Sequence, residues 1–179
     1  MIKNEREIVK LKMARIMNTQ DLFIIIKNEA ESLHIENFLN LNKSTNQVFE
    51  PGSIEYISNL MSNYNLSNYF EIIRKENVNN PEDINPHLIE DFSNRIEIYM
   101  DENAPGQIDL KQYIRIISTY LAFISKKPLH PLGMIMQGTE KIIKQNDKYY
   151  CPMRRAQIKG KLSLCIYCVC RDITELKND

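Results

Sequence analysis

A mainly α fold, an orthogonal or irregular helical bundle closed by a small C-terminal β-hairpin and a cysteine knuckle, is the class this sequence predicts. Three observations predict it: apolar residues recur at three- and four-residue intervals over the first 128 positions, the period shifts toward two beyond Pro128, and all four cysteines lie after residue 150. With 179 residues, 43% hydrophobic and 26% charged, the chain has enough apolar material for a packed core and too little bias for a disordered or fibrous class.

Val9, Met13 and Ile16 mark a first amphipathic helix, and Leu22, Ile26, Ala30 and Leu33 a second, with a break near Asn18-Thr19 and Thr19 as the expected N-cap. Asn40 to Gly52 is polar and ends in Pro51-Gly52, which predicts a loop. Ser53 should cap a helix with Ile54, Ile57, Leu60 or Met61, and Tyr64 on one face, and Ser67 a further helix over Tyr69 to Glu76. Asn77 to Asn85, with Pro81, is turn chemistry.

Pro86 suits a first helical turn, and Leu88, Phe92, Ile96 and Tyr99 form the expected inward stripe of the helix it opens. Pro105-Gly106 ends that helix. The strongest pattern follows: Leu110, Tyr113, Ile114, Ile117, Leu121 and Ile124 share a face, Lys126 and Lys127 lie at the negative end of the dipole, and Pro128 terminates it. Beyond it, Glu140 to Lys144 and Lys148 to Cys151 read as a hairpin around Gln145-Asn146-Asp147, because Asn and Asp tolerate the positive φ of tight turns. The expected organisation is a helical body over 1–128 and a hairpin and cysteine-rich tail over 129–179, packed on it as one structural domain.

The 23 basic and 23 acidic side chains cancel, which removes the global charge of a dedicated nucleic-acid binder. Locally, Glu76 to Asp109 is acidic and Lys141 to Lys161 basic; these are expected to be solvated or mutually complementary faces, with nucleic-acid binding through the basic stretch as a lesser alternative. The N-terminal residues carry mixed charge and no signal-peptide core, and the apolar run Leu22 to Ile26 falls far below the about 18 residues of a membrane span, so a soluble cytoplasmic chain is expected. In a reducing compartment, clustered cysteines point to a metal or redox site before structural disulfides.

Cys165-Ile166-Tyr167-Cys168 is a C-x-x-C, a turn that lets two thiolates converge on one ion; Cys151, separated from it by thirteen residues, and Cys170, just after it, complete a set of four sulfur ligands. His130, held between Leu129 and Pro131, is the alternative fourth ligand, giving a site of three cysteines and one histidine. Sulfur donors favour zinc, with an iron–sulfur cluster as the alternative, over magnesium or calcium. Arg154, Arg155, Lys159, Lys161 and Arg171 surround the cluster in sequence and are positioned to favour thiolate.

Three segments together, Lys126-Lys127-Pro128-Leu129-His130-Pro131, Tyr150-Cys151-Pro152, and Ser163-Leu164-Cys165 with Cys168, resemble the C-terminal signature of an uncharacterised family from methane-producing archaea. The specific match covers about the final third of the chain, and Cys170 is not part of the signature. The resemblance implies an archaeal, intracellular setting and brings no activity with it.

Other chemistry lacks its pattern. Glu31 and His34 form one Glu-x-x-His where a di-iron bundle needs two, and His87 reads as an exposed first-turn residue. Five glycines supply neither a Walker loop nor a dinucleotide fingerprint. Tyr149, Tyr150 and Tyr167 are expected to pack rather than to stack on bases. The expected function is a binding or adaptor module stapled by zinc, with a thiol-redox, sulfur-transfer or iron–sulfur protein using Cys165 and Cys168 as the alternative; no catalytic residue is assigned.

Overall fold

A computed structural model of the chain describes residues 17–37, 49–137 and 140–177. The helix expected around Val9, Met13 and Ile16 and most of the loop from Asn40 lie outside these residues. The described fold is mainly helical, with small sheets near its C-terminus, as the periodicity predicts.

The short strand β1 (Met17–Asn18) leads into α1 (Thr19–Glu31). The cap is Asn18, not Thr19: Asn18 accepts from the Asp21 amide at 2.9 Å while the Asp21 carboxylate accepts from the Asn18 amide at 3.2 Å, a reciprocal box that satisfies two otherwise orphaned donors. Thr19 is buried and used elsewhere, its hydroxyl accepting from the Glu82 amide at 3.0 Å beside the pairing of β1 with β2 (Asp83–Ile84).

Ser53 caps α2 (Ile54–Arg74), which runs unbroken through Ser67. A second helix was expected to start there, but Asn68 is buried within the helix and donates to the Tyr64 carbonyl at 2.8 Å, so its polar group is satisfied without a break. Asn85 caps α3 (Pro86–Asn103), with Pro86 in the first turn as predicted. Its buried stripe is Ile89, Phe92, Ile96 and Met100, whereas Leu88 and Tyr99 are exposed. The expected face was right at its centre and rotated at both ends.

The helix α4 (Ile108–Thr119) passes into a π turn over Tyr120–Ile124, in which the Ser125 amide reaches back five residues to the Tyr120 carbonyl at 2.8 Å. Lys126 then takes a positive φ of 51° and ends the helix. Helix α1 packs on α2 and α4, and α3 on α4. Phe23, Ile72, Phe92, Ile116 and Tyr120 are fully buried between them. Polar contacts cross-link the same elements: Arg115 on α4 meets Glu29 on α1 at 2.7 Å, and Glu71 on α2 accepts from Lys127 at 2.5 Å and from Tyr120 at 2.8 Å.

After Pro128 come β3 (Ile135–Gln137) paired with β4 (Glu140–Lys141), then β5 (Ile143–Gln145) paired antiparallel with β6 (Lys148–Cys151). The expected hairpin is present, with Asn146 and Asp147 as its two-residue turn at φ 49° and 60°. Its first strand is divided: Glu140 and Lys141 pair with β3, and the fully buried Ile142 separates them from β5. The sequence pattern did not show that β7 (Arg171–Asp172) joins this sheet, parallel to β6.

Phe92→Ala, which empties the centre of the α3 interface, should destabilise the protein by about 3–5 kcal/mol in urea denaturation. Burial would raise the Glu71 carboxyl, but hydrogen bonds from Lys127 and Tyr120 outweigh it and hold the group below its usual value. A depressed folded-state value means a contribution present above the unfolded pKa of about 4.3 and lost as pH falls through the folded one. The urea midpoint of Glu71→Gln should therefore vary less with pH below about 4.3 than that of the wild type.

Candidate thiol site

Two local structures hold the cysteines. Cys151 ends β6, and the chain turns at once through Pro152 into the single-turn helix α5 (Arg154–Gln157), where the backbone amides of Met153 and Arg154 act to lower the Cys151 thiol. The C-x-x-C lies on a 3₁₀ turn over Leu164–Ile166, capped by Ser163, whose hydroxyl accepts from the Cys165 amide at 3.2 Å; the Cys168 amide closes the turn on the Cys165 carbonyl at 3.2 Å. Arg154 clamps it from outside, donating to the Cys165 carbonyl at 2.5 Å and the Cys168 carbonyl at 3.1 Å.

Parallel pairing of β6 with β7 matches Cys151 to Asp172, which brings Cys170 and Cys151 into one small buried cluster with Ile142. Cys168 packs against that cluster and also against the helical core. All four cysteines are free thiols, Cys151 and Cys170 buried and Cys165 and Cys168 half-buried. Among the described residues, no group of three or more His, Cys, Asp or Glu side chains is arranged so that it could hold a metal ion.

The thiols are not electrostatically equivalent. Cys168 is lowered to about 6, first by its hydrogen bond with Cys170, then, against the opposing cost of burial, by amide donors from Leu129 and Cys170 and by the Arg154 charge. Cys170 is pushed up, first by the same bond and then by burial, so the pair shares one proton and keeps it on Cys170. Burial raises Cys151 despite its two amide donors, and raises Cys165 despite Ser163 and Arg154. The basic residues crowded around the cluster in sequence thus act on the thiols chiefly through Arg154; Arg155, Lys159, Lys161 and Arg171 are exposed.

The site is tied to the helical body by Tyr167, inside the C-x-x-C. Its ring lies edge-on to Phe92 at 5.2 Å and tilted against Phe123 at 5.9 Å, its hydroxyl donates to Asp91, and Arg95 lies over it at 5.9 Å. Tyr150, in β6, is fully buried; packing within the small β element was expected of both tyrosines, whereas Tyr167 packs on the helices. His130 lines a cleft of about 440 Å3 between α2, α3, α4 and the 157–165 segment, and Cys165 also borders this cleft. Burial lowers the His130 pKa, which keeps the imidazole neutral near pH 7. Sequence reasoning gave no site role to Arg95, nor to Ser163 and Leu129, although the last two stand within the signature segments.

With chelator and reductant present, alkylation of Cys168 should rise through an inflection near pH 6, and Cys170→Ala should move that inflection upward. Mass-spectrometric mapping of iodoacetamide adducts across pH checks both.

Comparison with known proteins places these features in a family. The family model described as "Uncharacterized protein conserved in archaea (DUF2115)" matches residues 18–173. A UPF0305 protein of Methanocaldococcus jannaschii is 32% identical over 166 residues, covering 90% of this chain and all of the relative. One from Methanococcus maripaludis strain C7 is 28% identical over 168 residues, covering 89% of this chain and all of the relative. One from Methanothermobacter thermautotrophicus is 36% identical over 55 residues, 31% of this chain and 34% of the relative. No solved structure matches the chain.

Proposed function

Because the chain belongs to this family of uncharacterized proteins conserved in archaea, and no activity comes with membership, we propose a function from the thiols themselves: Cys151, Cys165, Cys168 and Cys170 bind a structural soft metal ion, zinc by preference, and the protein acts as a binding module. The observation that carries this reading is that Cys151 and Cys170 share one small buried cluster with Cys168 packed against it, three sulfurs from separate segments; the Met153 and Arg154 amides act to lower Cys151 against the cost of burial, and the Leu129 and Cys170 amides act to lower Cys168. Amide donors stabilise negative sulfur, the form that ligates metal. An all-sulfur donor set suits zinc, which would take the place of the thiol protons and release them to solvent on binding.

In this reading Cys170, which shares a buried cluster with Cys151 and has Cys168 packed against it, is preferred to His130 as the fourth ligand. The ion would join β6 to the C-x-x-C turn, and through Tyr167 to the helices, so metal binding would couple to the order of the tail.

A second reading, dithiol chemistry, is favoured by the pairing of Cys168 with Cys170, in which each acts most strongly on the other, lowering Cys168 and raising Cys170. Cys168 thiolate would attack a partner disulfide and release one partner thiolate; Cys170 would then displace the other, leaving this pair oxidised and the partner reduced. The expected site of that chemistry, Cys165 with Cys168, gives way here to Cys168 with Cys170.

Anaerobic purification with metal analysis, an absorption spectrum and thiol titration separates these readings. Zinc binding predicts about one zinc per chain, no visible absorption, and thiols that titrate fully only after chelation. Metal-free protein with four freely titrating thiols would overturn it, and visible sulfur-to-iron bands would replace zinc by an iron–sulfur cluster.

A further inference from the structure

The cleft that holds His130 has walls whose chemistry can be read for a ligand. Its volume of about 440 Å3 lies within the range of small-molecule sites. Most of the wall is apolar, with Met61 from α2, Ile96 and Met100 from α3, and Ile114 from α4. The exposed side chains of Tyr99 and Gln157 mark where it meets solvent.

Charge narrows the class of occupant. Among the described residues, no Asp, Glu or Lys lines the cleft, and its arginine is already engaged. Arg95 donates to the Asp91 carboxylate at 2.8 Å and to the Lys161 carbonyl at 2.7 Å, and its guanidinium lies over Tyr167. A charged ligand entering here would lose hydration and meet no free counter-charge. A neutral one would not incur that cost.

His130 gives the cleft a polar point. No hydrogen bond or ion pair to its imidazole is present among the described residues, and it lies in the rigid Pro128–Pro131 segment, which Tyr64 anchors by donating to the Pro128 carbonyl at 2.7 Å. A polar side chain set in an apolar wall without a partner gains from any ligand group that completes its bonding. We propose that this cleft binds an uncharged, largely apolar small molecule whose polar group, a hydroxyl or carbonyl, hydrogen-bonds to His130. The proposal does not depend on metal at the thiols, because helices α2, α3 and α4 form most of the wall.

The test uses the full chain, reduced, with its methionine methyl groups labelled with carbon-13 for NMR, and 2-naphthol as the probe. Met61 and Met100 report from the cleft wall, and Met134 and Met153, outside it, serve as internal controls. Saturable shifts at Met61 and Met100 with the controls unmoved are expected. Naphthalene-2-sulfonate should bind at least roughly tenfold more weakly, as its fixed charge finds no partner. His130→Phe should weaken 2-naphthol roughly 3- to 10-fold, the loss of one neutral hydrogen bond. Ser118→Leu or Asn65→Leu, whichever retains the wild-type control resonances, should abolish binding by filling the space. Shifts that never saturate, equal movement of the controls, equal affinity for the sulfonate, or an undiminished His130→Phe response would each overturn the proposal.

Discussion

The edge-on contact of Tyr167 with Phe92, backed by Phe123, fixes the cysteine turn on the helices, and the placement of the whole tail follows from it. An aromatic pair of this geometry contributes about 0.5–1.5 kcal/mol beyond its buried area, and Phe123 adds a tilted contact to the same ring. The ring belongs to the C-x-x-C itself, so the helical core determines where Cys165 and Cys168 stand. Asp91 and Arg95, four residues apart on α3, complete the seat by bonding the phenol and covering the ring. Thus the tail is positioned by α3 as much as by its own strands.

What could be read from the sequence was what is encoded locally. Asn146 and Asp147 state a tight turn in their own conformational preferences, and the hairpin around them formed as expected. Pro86 and Ser53 mark helix starts for equally local reasons. The misreadings involve choices that distant residues make. For α3, the stripes 88, 92, 96, 99 and 89, 92, 96, 100 fit the helical period equally, and the position of α4 and of the aromatic ring selects the second. Ser67 has the chemistry of a cap, yet buried packing at Asn68 and Tyr69 carries α2 straight through it. Two residues of β7 carry no period at all, and their parallel register with β6 is a tertiary fact.

The candidate site shows the same division. The cysteines themselves were plain, but their unequal proton affinities were not, because those follow from three-dimensional neighbours. Five basic residues near the cluster in sequence suggested a general depression of thiol pKa. In the fold most of them point into water, where screening weakens them, while one thiol, Cys170, and two backbone amides act on Cys168 at contact range. Near neighbours outweigh solvated charge, and Cys168 is the one thiol of the four held below its usual value.

Cys165 borders both the thiol cluster and the His130 cleft, and the segment before it, residues 157–165, supplies part of the cleft wall. The same segment is held by Arg95 through the Lys161 carbonyl and by Arg154 through the Cys165 carbonyl. One stretch of backbone therefore forms an arm of the thiol site and a wall of the cleft, and its order is common to both. By linkage, a group that binds only the ordered arrangement of either one stabilises the other to the same extent. The cleft and the cysteines are distinct in chemistry and joined in mechanics, with Tyr167 as the fixed point between them.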